Sequence, residues 1–165
     1  MKYKLTEENK ENNGVTLYRI EALKAFGNVV TGDLGGWVES ENNLSQDGDA
    51  WVYDAAWVYG DARIYGNAEI YDDVVICGDA RIYGNAEIYD DVVIYGNARI
   101  YGNARIYGNA RICGDARIYD DVVIYGDVAI YGDAGIGSTP SSGVVHVIHS
   151  TADNRAEAFR KTLNI

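Results

Sequence analysis

The stretch GNARIYGNARIYGNARIC, Gly96 to Cys113, states one six-residue phrase three times. Followed outward, the same period holds without insertion from Gly48 to Gly137, through fifteen hexads that open with GDAWVY, DAAWVY, GDARIY and close with GDVAIY, GDAGIG. The third residue of each hexad is Ala or Val and the fifth is Val or Ile. In an extended chain those two side chains leave the same side of the strand, so they form the core face. The fourth and sixth residues point the other way, while Gly or Asp at the first position, mostly followed by Asp or Asn, supplies turn chemistry. An apolar period of six excludes an α-helix, whose buried face needs spacings of three and four.

A strand this short cannot bury its own apolar face, so it is stable only when coil stacks on coil, about 4.8 Å apart. The expectation is an all-β chain built on a parallel β-solenoid. Three stretches follow: an N-terminal β cap at 1–47, the repeats at 48–137, and a C-terminal cap at 138–165. In the first, KYKLT and TLYRIEAL flank the polar EENKENNGV, which reads as a β-hairpin. Its expected role is to cover the first coil, since an open solenoid end is an unpaired edge. In the last, VVHVIH reads as a strand, and Ser150 caps a short helix whose Ala152, Ala156, Phe159 and Leu163 form one apolar stripe.

The phrase GDARIYGNAEIY resembles the hexapeptide-repeat proteins, whose pattern sets an aliphatic residue at every sixth place and a small residue four further on. That resemblance implies a triangular, left-handed parallel β-helix of three hexads, or 18 residues, per coil, hence about five coils. Handedness and triangular section rest on the resemblance alone. The flank GDLGGWVESENNLSQDGDAWVYDAAWVYGDARIYGNA, Gly32 to Ala68, is similar to a branch of the family common in prophages and bacterial genomes.

With three hexads per coil, residues 18 apart stack into outer columns on three faces. Face 1 carries Trp51, Glu69, Glu87, Arg105 and Val123 beside Tyr53, Tyr71, Tyr89, Tyr107 and Tyr125. Face 2 carries Trp57, Val75, Val93, Arg111 and Ala129 beside Tyr59, Cys77, Tyr95, Cys113 and Tyr131. Face 3 carries Arg63, Arg81, Arg99 and Arg117 beside Tyr65, Tyr83, Tyr101 and Tyr119. Face 2 is the most apolar, and Trp57, Val75, Val93, Tyr59, Cys77, Tyr95, Cys113 and Tyr131 are its candidate oligomer or partner interface. The two cysteines stand two coils apart, too far for an internal disulfide. Face 3 is a candidate strip for an anionic ligand or an acidic partner. The competing reading is a self-neutralised ladder in which Asp61, Asp79 and Asp115, at the corners of the same hexads, offset the arginines.

Many hexapeptide-repeat proteins are acyltransferases, and a related group binds zinc as carbonic anhydrases. Acyl transfer in those relatives uses a general-base histidine beside a loop that leaves the coil, and the hexads contain neither. Only His146 and His149 exist, and their odd spacing in a strand sends them to opposite faces. No catalytic residue, metal or cofactor is therefore expected. Asp72, Asp73, Asp90 and Asp91 gather four carboxylates at one corner, read as solvated rather than as a calcium site.

Acids outnumber bases 25 to 14, for a net charge of −11, which argues against nucleic acid or an anionic membrane as direct partner. No apolar run approaches the ~20 residues needed to span a bilayer, and no export signal is recognised, so a cytoplasmic location is expected. The functional expectation is a non-enzymatic scaffold that forms a homo-oligomer, dimer or trimer, through face 2 and binds a protein partner not identifiable from sequence. Its alternatives are an acidic decoy that mimics nucleic acid towards a basic partner, and a hexapeptide-type acyltransferase.

Overall fold

A computed structural model describes residues 1–137 and the strand Val144–Val145. The chain opens with β1 (Tyr3–Asn12) and β2 (Val15–Ala22), an antiparallel hairpin, followed by β3 (Leu34–Val38) and a single 3-10 turn at Glu41–Asn43. Two-residue strands then recur once per hexad, from Trp51–Val52 to Gly135–Ile136. Away from the ends of the stack, each pairs in parallel with the strands 18 residues before and after it. Glu87 lies between Glu69 and Arg105, Val93 between Val75 and Arg111, and Arg99 between Arg81 and Arg117. The result is three sheets, one per side of the coil, with the Ala, Val and Ile of positions three and five turned inward. Every fifth-position residue from Val52 to Ile136 is buried.

The first residue of every hexad has positive φ: eleven glycines, together with Asp54, Asp72, Asp90 and Asp120. Two constraints select those residue types. The left-handed region is strained for most side chains, and Gly and Asp tolerate it best. The corners also stack backbone on backbone, so a Cβ on Gly84 would stand 2.7 Å from the Gly102 carbonyl oxygen. At two of the four Asp corners the carboxylate joins the stack. Asp72 accepts the backbone N–H of Asp90 at 3.1 Å, and Asp90 accepts that of Gly108 at 2.8 Å. The second positions make a side-chain ladder: Asn67 donates to Asn85, Asn85 to Asn103 and Asn103 to Asp121, at 3.1, 2.9 and 2.6 Å. The four-carboxylate corner foreseen at Asp72, Asp73, Asp90 and Asp91 is thus partly occupied by the stack's own N–H groups.

The stack begins earlier than the hexads do. β3 pairs in parallel with Trp57–Val58, Trp37 facing Trp57, and Leu44 bridges Ile64, so each of these contacts spans 20 residues rather than 18. Two extra residues between Leu44 and Trp51 restore the regular phase. A further turn therefore precedes the five that the hexads make, for about 6 turns in all. The hairpin joins this first turn as foreseen, β2 running antiparallel to β3, but its loop is only the Asn13–Gly14 turn, with both φ angles positive.

Carbonyls that would accept from a preceding coil are satisfied by side chains at this end. Lys2 Nζ donates to Ala50 O at 2.8 Å and Gly48 O at 3.4 Å, while Asn43 Nδ2 donates to Gly60 O and Ala62 O at 2.9 Å each. Gly35 and Gly36 let β3 lie directly on the coil below, since a Cβ would stand 2.5 Å from Val52 O on the first and 2.7 Å from Ala56 O on the second. At the far end Val144–Val145 pairs in parallel with Val123–Ile124. The short helix expected around Ala152, Ala156, Phe159 and Leu163 lies outside the described residues, as do His146 and His149.

Gly84→Ala combines a strained φ with a backbone clash, whereas Gly14→Ala in the hairpin turn meets only the φ cost, with nothing within 4 Å of its Cβ. Gly14→Ala is expected to lose about 1 kcal/mol of stability and Gly84→Ala about 2–4 kcal/mol, read from denaturant midpoints.

Candidate functional site

The three outer faces are built from the same hexad but end in different chemical states. On face 1 the charges find partners within the fold. Tyr53 and Tyr71 both donate to the Glu69 carboxylate, Tyr89 donates to Glu87 at 3.2 Å, and Arg105 pairs with Glu87 at 3.5 Å. Trp51, expected to face outward here, is instead buried at 1% exposure. The N-terminal segment covers it, with Tyr3 and Phe26 packing edge-on to the indole at centroid distances of 6.0 and 5.3 Å.

Face 2 is covered at its N-terminal end by the hairpin. Lys10 Nζ lies 4.1 Å from the Trp37 ring and 4.2 Å from the Trp57 ring, and the Arg19 guanidinium also lies over Trp37. Trp57 is therefore a docking point for the chain's own β1 rather than an open anchor. Below it Val75 and Val93 are half-buried neighbours in register, followed by exposed Arg111 and Ala129. The adjacent column alternates large and small, with Tyr59, Cys77, Tyr95, Cys113 and Tyr131 one coil apart. Both cysteines are free. Cys113 is buried at 7% exposure between its neighbours, whereas Tyr95 is 42% exposed. A hydrogen bond to Cys77, and secondarily burial, pushes the Tyr59 hydroxyl up to about 12.

Face 3 keeps its arginines exposed. Arg63, Arg81, Arg99 and Arg117 stand in direct register on successive coils. Among the described residues none of them forms an ion pair, so the corner acids expected to offset them make no direct salt bridge. The Asp115 carboxylate is engaged along the stack, where it accepts from Asn97 at 3.0 Å. The tyrosine column beside them is a continuous ring stack, with centroids 4.9, 5.0 and 5.7 Å apart from Tyr65 through Tyr83 and Tyr101 to Tyr119. Two open depressions lie along this face, one lined by Arg63, Tyr65, Arg81 and Glu41, the other by Tyr101, Asp115, Arg117, Tyr119 and Asp133.

The residues that sequence reasoning missed are those that close the first turn: Lys2, Lys10, Trp37 and Asn43. Trp37 carried a usable signal, because its Trp-Val pair is the same as in the first two hexads. Lys2 and Asn43 carried none, since their hydrogen bonds are to main chain distant in sequence.

Several of these tyrosines are held protonated by the fold. Burial first, and then the Glu69 charge, push Tyr53 up to about 12; burial and the hydrogen bond to Glu69 raise Tyr71. The unfolded chain releases those protons from about pH 10, before the folded chain does, so stability falls as pH rises above that value. Lys2 acts oppositely, because burial lowers it from 10.5 to about 8 and its contribution rises with pH between those values. Above pH 10.5 only the tyrosine effect remains. Thermal midpoints taken from pH 9 to 11.5 are expected to drop for the parent chain and to drop less for Tyr53→Phe, Tyr71→Phe.

Comparison with known proteins bears on the repeats. The YdcK β-solenoid repeat matches five overlapping or adjacent stretches, at residues 62–78, 80–96, 94–108, 98–114 and 110–126. An Escherichia coli (strain K12) protein carrying the name uncharacterized acetyltransferase YdcK is 36% identical over 61 residues, which cover 32% of this chain and 19% of that protein. The chain thus spans less than a fifth of that relative's length. No helix among the described residues is long and apolar enough to cross a membrane. The repeat matches fall within the three-sided parallel stack, and the chain is a β-solenoid protein similar, between residues 62 and 126, to the YdcK β-solenoid repeat.

Proposed function

We propose that the protein is a non-catalytic β-solenoid scaffold that pairs with a second copy of itself through face 2 and leaves its other faces to a protein partner. The observation that carries this reading is the self-complementary relief of face 2. Its outer column alternates Tyr and Cys, whereas the corresponding column of face 1 is unbroken tyrosine and that of face 3 is tyrosine up to Gly137. Two copies set antiparallel, with the two-fold axis between the second and third coils, bring Val75 against Val93, Tyr59 against Cys113 and Cys77 against Tyr95. Each ring then meets a small residue, and the valines leave water, a gain of about 25 cal/mol per Å² of apolar surface.

The relative's name favours a second reading, an acetyltransferase. The likeness covers only 32% of this chain, and residues 1–137 contain no histidine to act as a general base. The decoy reading is weaker still, since several of the corner carboxylates accept hydrogen bonds along the stack.

Light scattering is expected to give the mass of a dimer for the parent chain and of a folded monomer for Val75→Glu, Val93→Glu, with circular dichroism unchanged. A monomeric parent chain sinks the self-association reading, and a trimer sinks the antiparallel pairing. Release of free thiol from acetyl-coenzyme A, dependent on an amine acceptor, would overturn the non-catalytic reading.

A further inference from the structure

We propose that face 3 binds a short, extended acidic peptide segment, laid along the axis of the rod across its arginine ladder. This site is separate from face 2 and does not depend on self-association.

Three observations converge on it. First, the four arginines repeat at every coil in register and are exposed, and among the described residues they make no ion pair, although the chain as a whole carries −11. Stacked like charges repel, so a ladder without direct ion pairs is stabilised when an anion covers it. Second, the tyrosines beside them are packed ring on ring at 4.9 to 5.7 Å, which holds their hydroxyls in a row. On face 1 the equivalent hydroxyls of Tyr53, Tyr71 and Tyr89 are taken by Glu69 and Glu87, whereas face 3 has no carboxylate in its fourth-position column. The face 3 column therefore offers donors to a ligand. Third, both depressions described above are lined by this strip, one at each end of it.

Spacing selects the class of ligand. Four arginines on successive coils span about 14 Å, and three carboxylates on alternate residues of an extended peptide span about 13 Å. Arginine's planar fork receives such carboxylates in pairs of parallel hydrogen bonds. A nucleic acid fits less well. Its backbone carries a charge on every nucleotide, and those phosphates would also meet the acidic corners that border the strip, among them Asp61, Asp79 and Asp133. A peptide with acids on one side only puts its neutral side chains towards those corners.

The test uses the whole chain and a fluorescein-labelled peptide of alternating Glu and Thr, read by fluorescence anisotropy at low and moderate salt. Saturable binding is expected, weakened about tenfold or more in Arg81→Gln, Arg99→Gln and unchanged in Arg111→Gln on face 2. Arg81→Lys, Arg99→Lys keeps the charge but not the fork, and an intermediate loss is expected. All these positions are exposed, and circular dichroism confirms that each variant is folded. The proposal is overturned by no saturable binding to the parent chain, by an equal loss in Arg111→Gln, or by tighter binding of a single-stranded oligonucleotide of the same charge.

Discussion

The structure depends on how closely one corner can rest on the next. At the first residue of each hexad the backbone takes a left-handed turn and lies directly on its counterpart one coil away, so there is room for no ordinary side chain in most of these places. That single contact sets the coil spacing, and the spacing in turn puts each two-residue strand in hydrogen-bonding register with its neighbours. Strands of two residues have no stability of their own. They exist because the corners hold them in line.

A stack built this way has ends, and the end described here is closed by groups foreign to the repeat. A buried ammonium and a buried amide replace the N–H groups of a coil that is not there, while the hairpin carries the sheet on in antiparallel fashion. Desolvating Lys2 costs stability, visible in its lowered pKa, and that cost is offset by its two carbonyl partners and the Phe26 ring. The free side of β1 is bulged between Leu5 and Asn9 and studded with charge, which discourages a further strand from adding.

Outside the core the same hexad yields three unlike faces, because position four is free to vary. Glutamate on face 1 draws the tyrosine hydroxyls inward, valine on face 2 leaves a flat apolar stripe, and arginine on face 3 remains open. The core is indifferent to these choices, which is why they carry the functional reading: the self-association proposed for the apolar side and the anion recognition proposed for the basic side both use residues that the fold does not need.

The sequence by itself determined the coil: the period, the inward positions, the turn chemistry and the membership of each outer column follow from residues 48–137, because every one of those contacts is local or repeats at a constant offset. Tertiary structure decided what the constant offset cannot express. The turn before Gly48 was hidden by a phase shift of two residues, and the partners of Lys2, Lys10, Asn43 and Trp51 lie far away in the chain. The direction of the corner acids was likewise invisible: sequence places Asp115 near Arg117, but only the stack shows the carboxylate turned along the rod to Asn97, leaving the guanidinium free of it. A repeat specifies its own interior through short-range rules, whereas its ends and its surface charges are settled by which distant groups the finished stack brings within reach.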